Sequence, residues 1–103
     1  MQQKLLTIVV AESDKWEGIP LYEAIVRKLM HLDAPGATVQ RGMMAFGRHH
    51  NRLHHAQLFG IPDDRPMMIS VVHSEEALRS HVIPAIRLMV RHGLMFMVDA
   101  EVI

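Results

Sequence analysis

Hydrophobic residues fall along this chain in two rhythms. Lys4 to Ala11 (KLLTIVVA) is short, β-branched and almost wholly apolar, the pattern of a strand covered on both faces. "ESDKWEG" follows as a loop. From Leu21 to Leu32 the spacing changes: Leu21, Ile25 and Leu29 recur at helical intervals, and Glu23, Arg27 and His31 form the opposite, wet stripe. Pro20 suits the first turn of that helix, where its missing N–H costs nothing, and "DAPG" ends it. Ala37 to Ala45 (ATVQRGMMA) mixes apolar and polar residues as an edge strand does, with Gly42 marking a bulge. Met67 to His73 (MMISVVH) reads as a second central strand. Ser74 then caps a helix whose first turn holds Glu75 and Glu76 and whose apolar face is Leu78, Val82, Ile86 and Met89. Pro84 should kink or split it, and Gly93 should stop it. Leu94 to Ile103 alternates, with Phe96, Val98, Ala100 and Val102 on one side and Asp99 and Glu101 on the other.

The order β-α-β-β-α-β predicts an α+β, ferredoxin-like sandwich with a four-stranded antiparallel sheet, in a single domain spanning residues 1–103. Strands one and three should be central, and they are the two with apolar residues on both sides. Two helices can cover only one face of such a sheet. Leu5 and Val9 point away from Leu6, Ile8 and Val10, and Met68 and Val72 away from Met67, Ile69 and Val71. The bare face would expose several large side chains, so an oligomer built through it is expected. The alternative is a monomer in which the C-terminal strand or the long loop folds over that face.

Composition narrows the chemistry. Lysine plus arginine equals aspartate plus glutamate at 11 each, so no basic field points to nucleic acid. There is no cysteine, which excludes disulfides, thiolate metal sites and cysteine nucleophiles. The opening MQQKLLTIVV holds an apolar run too short for a signal peptide or a membrane span, so a cytoplasmic location is expected. No nucleophile elbow, Walker loop, HExxH motif or carboxylate pair is present, and the expectation is a protein that is not an enzyme.

The candidate chemistry gathers around "FGRHHNRLHH", where His49, His50, His54 and His55 lie within seven positions. Imidazole nitrogens suit Zn, Cu or Ni, giving one reading as a metal site. Arg41, Arg48 and Arg52 make the same region the chain's one dense cationic stretch; their forks suit phosphate oxygens, and Gly42 and Gly47 allow close backbone approach. Glu12, Ser13 and Asp14 follow the end of a central strand, where a ligand or simple turn chemistry would both fit. Trp16, the only tryptophan, and Tyr22 are expected to pack against neighbouring structure.

"ESDKWEGIPLYEAIV", "GATVQRG", "FG" and the closing "DAEVI" resemble the PII-like family catalogued as domain of unknown function 190, along Lys4 to Ile103. Ile19 stands where that family often has lysine, and "LHHAQL" replaces a more usual "IHTAKL". "AFGRHH" is similar to the start of the T-loop of PII signalling proteins. The resemblance implies a homotrimer with effector clefts between subunits. It also implies a mobile T-loop-like segment, residues 46–58, that reports occupancy to a target protein, a membrane transporter being one candidate. By the same carry-over Phe46, Gly47 and Arg48 would open the loop and border the cleft. The chain has "RHGLMF" in place of the glycine- and lysine-rich phosphate loop of PII proteins, and no lysine follows Lys28. The expected effector is therefore a nucleotide with fewer phosphates than ATP, such as AMP or ADP, or a different small anion, with no cofactor required. The ligand-binding set is Glu12, Ser13, Asp14, Arg41, Gly42, Phe46, Gly47 and Arg48. The alternative is a metal-binding trimer resembling copper-tolerance proteins, using the four loop histidines.

Overall fold

The computed structural model describes residues 2–45 and 64–103. Its first strand, β1 (Gln3–Ala11), lies between β5 (Pro66–Ser74) and β6 (Leu94–Asp99), and β4 (Thr38–Arg41) pairs with the far side of β5. All three pairings are antiparallel, giving the sheet order β4-β5-β1-β6. The two apolar runs are thus central and the two mixed ones are edges. With two helical stretches, this is an α+β arrangement compatible with a ferredoxin-like fold.

The period-2 alternation of β1 sets what each face does. Leu6, Ile8 and Val10 are fully buried, as are their neighbours Ile69 and Val71 on β5. They meet α1 (Leu21–His31) through Leu21, Ala24, Ile25 and Leu29, and the second helical stretch through Leu78, Val82, Ile86 and Met89. Every one of the apolar helix positions expected from spacing is in this core. On α1's wet side Glu23 pairs with Arg27 one turn away.

The opposite face has no second layer among the described residues. Register places Leu5, Thr7 and Val9 beside Val72, Ser70 and Met68 on one side and Val98, Phe96 and Leu94 on the other. Leu94, Phe96 and Val98 are exposed by 53, 44 and 48% of their surface. Residues on adjacent strands at these positions share a face, so the patch is continuous across three strands.

Four local expectations change. The loop after β1 contains a small hairpin, β2 (Lys15–Trp16) paired with β3 (Ile19–Pro20). Glu17 and Gly18 occupy its turn with φ of 49° and 87°, the two positive values a type I′ turn requires. Pro20 belongs to that hairpin and caps α1 with ψ of 136°, rather than entering the first helical turn. The predicted strand 37–45 is ordered as strand only over Thr38–Arg41, and the last strand ends at Asp99 rather than Ile103. Gly42 follows β4 and donates its N–H to the Pro66 carbonyl at 2.7 Å.

The second helical stretch begins at Ser74, whose hydroxyl accepts from the Ala77 N–H at 3.2 Å. It runs as α2 (Glu75–Ala77), a π-helical turn (Leu78–Val82) and α3 (Ile83–Arg87). The Ile83 N–H bonds back five residues to the Leu78 carbonyl. Pro84 cannot donate, and its ring would press on the carbonyl one α-turn earlier; a widened turn just before it relieves both problems. The helix is thereby split without losing its direction into the core.

Gly93 leads into β6 where the chain presses on β1. A Cβ there would stand 2.6 Å from the Val9 carbonyl oxygen and 2.8 Å from Val90 Cγ1. Because the obstacle is backbone of a central strand, Gly93→Ala is expected to destabilise by about 1–3 kcal/mol, read as a lower urea midpoint with an unchanged slope.

The N-terminal ends of β1 and α2 meet β6 through charge. Lys4 bonds the Asp99 carboxylate and lies 3.9 Å from Glu75, which also accepts from Arg79 Nε at 2.8 Å. The hydrogen bond from Lys4 holds the Asp99 carboxyl below its ordinary range, the bond from Arg79 does the same for Glu75, and the bond to Asp99 raises Lys4. Depressed carboxylates contribute stability above their unfolded pKa near 4 and lose it as pH falls through the lower folded value. The raised lysine contributes below about pH 10.4 and loses its share as pH climbs through the higher folded value. The thermal midpoint should therefore be flat through neutrality and fall at both extremes. The deficit of Asp99→Asn should be present at pH 7 and vanish in strong acid.

Candidate functional site

Three strand ends converge at one end of the sheet: the end of β1, the end of β4 and the start of β5. Backbone bonds fix them. The Glu12 N–H donates to the Arg65 carbonyl at 2.8 Å, and the Gly42 bond to Pro66 ties β4 to the same place. The chain leaves the sheet at Gly42 and re-enters it beside the same proline.

Side chains reinforce the junction. The Ser13 N–H and hydroxyl both donate to the Asp64 carboxylate, at 2.9 and 2.7 Å. Arg41 Nε stands 3.6 Å from Glu12 Oε2. The Arg41 side chain keeps 57% of its surface in water, so this pair is weak and exchangeable. Asp14 turns inward on its own loop. Its carboxylate accepts the Ala11 N–H at 3.0 Å and its carbonyl accepts the Leu21 N–H at 2.7 Å. That geometry shapes the passage from β1 to the hairpin and leaves Asp14 largely engaged in turn chemistry.

The structure thus brings together Glu12, Ser13, Arg41 and Gly42, with Asp14 just behind them. Asp64 joins them as a residue that sequence reading missed; its partner Ser13 lies 51 positions away, and no local pattern announces such a bond. Phe46, Gly47 and Arg48, and the histidines 49, 50, 54 and 55, lie outside the described residues. Among the described residues no group of three potential metal ligands stands together.

Behind Asp14 a hollow of about 320 Å³ opens between the hairpin and the start of β6, where Lys15, Arg91 and His92 stand with the carboxylates of Asp14 and Glu17 and with the apolar Trp16, Leu21 and Met89. Arg91 and His92 come from "RHGLMF", the connection preceding β6.

A small α+β protein whose open sheet face has no second layer among the described residues, with Arg41 beside the Glu12 carboxylate at one end of the sheet, is the class this geometry defines. The chain belongs to the DUF190 family, described as "Uncharacterized ACR, COG1993", whose model matches residues 3–102. It is 28% identical over 103 residues to a UPF0166 protein of Methanocaldococcus jannaschii, covering 99% of this chain and 93% of that one. Over 79 residues it is 27% identical to a UPF0166 protein of Aquifex aeolicus, covering 77% of this chain and 74% of the relative. No helix among the described residues is long and apolar enough to cross a membrane.

Proposed function

We propose that the protein is a PII-like regulatory subunit. It assembles as a homotrimer through the open sheet face and binds a small anionic effector, an adenine nucleotide such as AMP or ADP, at the strand-end junction between subunits. The observation that carries this reading is the Arg41–Glu12 pair. A forked cation is held at the sheet end by a single, largely solvated carboxylate contact, and a phosphate can replace that contact with a bidentate one. Gly42, with no side chain, lets β4 close onto Pro66, whose Cγ would stand 2.7 Å from a Cβ there, and so fixes Arg41 at the sheet end. Arg91 and Lys15 stand on the hairpin side, in a hollow that Asp14 and Glu17 also line. Occupancy would be reported through the segment that begins at Phe46, to a target protein; that segment lies outside the described residues. Binding rather than catalysis is the activity in this reading.

Isothermal titration with AMP, ADP, ATP and cyclic AMP tests it. Saturable heat with AMP or ADP is expected, and Arg41→Ala should weaken it by about tenfold or more, the scale of one lost charge-assisted contact. Glu12→Gln, which frees the arginine without removing it, should bind at least as well as the parent. No heat from any of the four nucleotides ends the nucleotide reading.

A further inference from the structure

A second hollow, of about 350 Å³, lies on the other side of Trp16, between the hairpin, α1 and α3. It opens on the helical layer, away from the bare sheet face. Two facing alanines create it. Ala24 on α1 and Ala85 on α3 stand where bulkier residues would close the gap between the helices, and Trp16 and Ile19 wall one end. Ala24, Lys28 and His31 recur at i, i+4 and i+7, so Lys28 and His31 stand on the same stripe as Ala24, while Glu17 of the hairpin turn also lines the hollow. Arg27, also on the rim, is held by Glu23. Lys28 and His31, by contrast, have no side-chain ion pair or hydrogen bond among the described residues. Leu88 completes the rim with 77% of its surface exposed. The volume falls in the range of about 300–1,000 Å³ typical of small-ligand pockets, which are mostly apolar with a few oriented polar groups.

We propose that this hollow is a binding site for a small monoanion with an apolar body, such as a medium-chain carboxylate. The apolar part lies over Ala24, Ala85 and the Trp16 ring, and the carboxylate faces Lys28 and His31. A neutral or cationic amphiphile would leave the Lys28 ammonium without a partner, so that charge selects the class. The site is independent of the nucleotide junction and of subunit assembly.

Because Trp16 is the only tryptophan, its emission reads occupancy directly. Octanoate, kept below its aggregation threshold, is expected to shift that emission saturably, and octanol at equal concentration should bind more weakly by about tenfold. Lys28→Glu should weaken octanoate by about tenfold or more, and Ala85→Leu, which fills the floor, should abolish the response with the circular dichroism spectrum unchanged. Trp16 also borders the first hollow, so Arg91→Glu, on that side alone, should leave octanoate binding within about twofold of the parent. The proposal is overturned by no saturable response, by equal binding of octanol, by indifference to Lys28→Glu and Ala85→Leu, or by loss in Arg91→Glu alone.

Discussion

Phe96→Asp is expected to convert a self-associated protein into a single folded chain in sedimentation velocity at micromolar concentration. Phe96 sits on the bare face opposite Thr7, with Leu94 and Val98 two residues away on either side along β6. Leu5, Val9, Met68 and Val72 extend the same apolar surface across the two central strands. Burying each large side chain contributes roughly 1.5–3 kcal/mol, and in a closed ring every subunit repeats the contact. A carboxylate at this place must be desolvated without a partner, which adds several kcal/mol against association. Folding of the single chain should survive, because Phe96 makes no part of the helix-side core. Circular dichroism of the variant should therefore match the parent while its sedimentation coefficient falls. A parent protein that already sediments as one chain would remove the assembly, and with it the shared clefts.

Ile8→Ala should do the reverse. Ile8 is fully buried between β5, β6 and the helices. Removing its branched side chain leaves a cavity that the surrounding sheet cannot close, at a cost of about 2–5 kcal/mol. For a domain of this size that is a large share of a total stability of about 5–15 kcal/mol, so chemical denaturation should show a sharply lower midpoint. Val9→Ala, the next residue but on the bare face, should scarcely change the stability of the single chain and should weaken association instead. The pair of neighbours separates folding from assembly in one strand.

That separation was legible in the sequence because strand periodicity is strict: a step of one residue moves a side chain to the other face. The same rule identified Leu6, Ile8 and Val10 as core and Leu5 and Val9 as facing away. Helical spacing did as well for Leu21, Ile25 and Leu29, and for Leu78, Val82, Ile86 and Met89. Less came through where structure depends on a few residues or on distant partners. Two-residue strands carry no period, so the Lys15–Pro20 hairpin leaves no trace in the hydrophobic pattern, although Glu17–Gly18 takes the positive φ values of its turn. Pro84 signalled trouble in its helix, but not that a π-turn would absorb it. At the junction, Glu12, Ser13 and Arg41 drew attention as residue types at strand ends. Their actual partners were hidden, since Asp64 meets Ser13 only once β5 pairs with β1.

The bond between Gly42 and Pro66 fastens the two ends of the intervening chain to one point of the sheet. Ring closure at a fixed neck is insensitive to circumference: doubling the number of residues in such a loop costs only about 0.6 kcal/mol in closure entropy. Insertions or deletions between these two anchors should therefore leave the scaffold's stability nearly constant, so this neck can tolerate changes of chain length that no other junction of the sheet would.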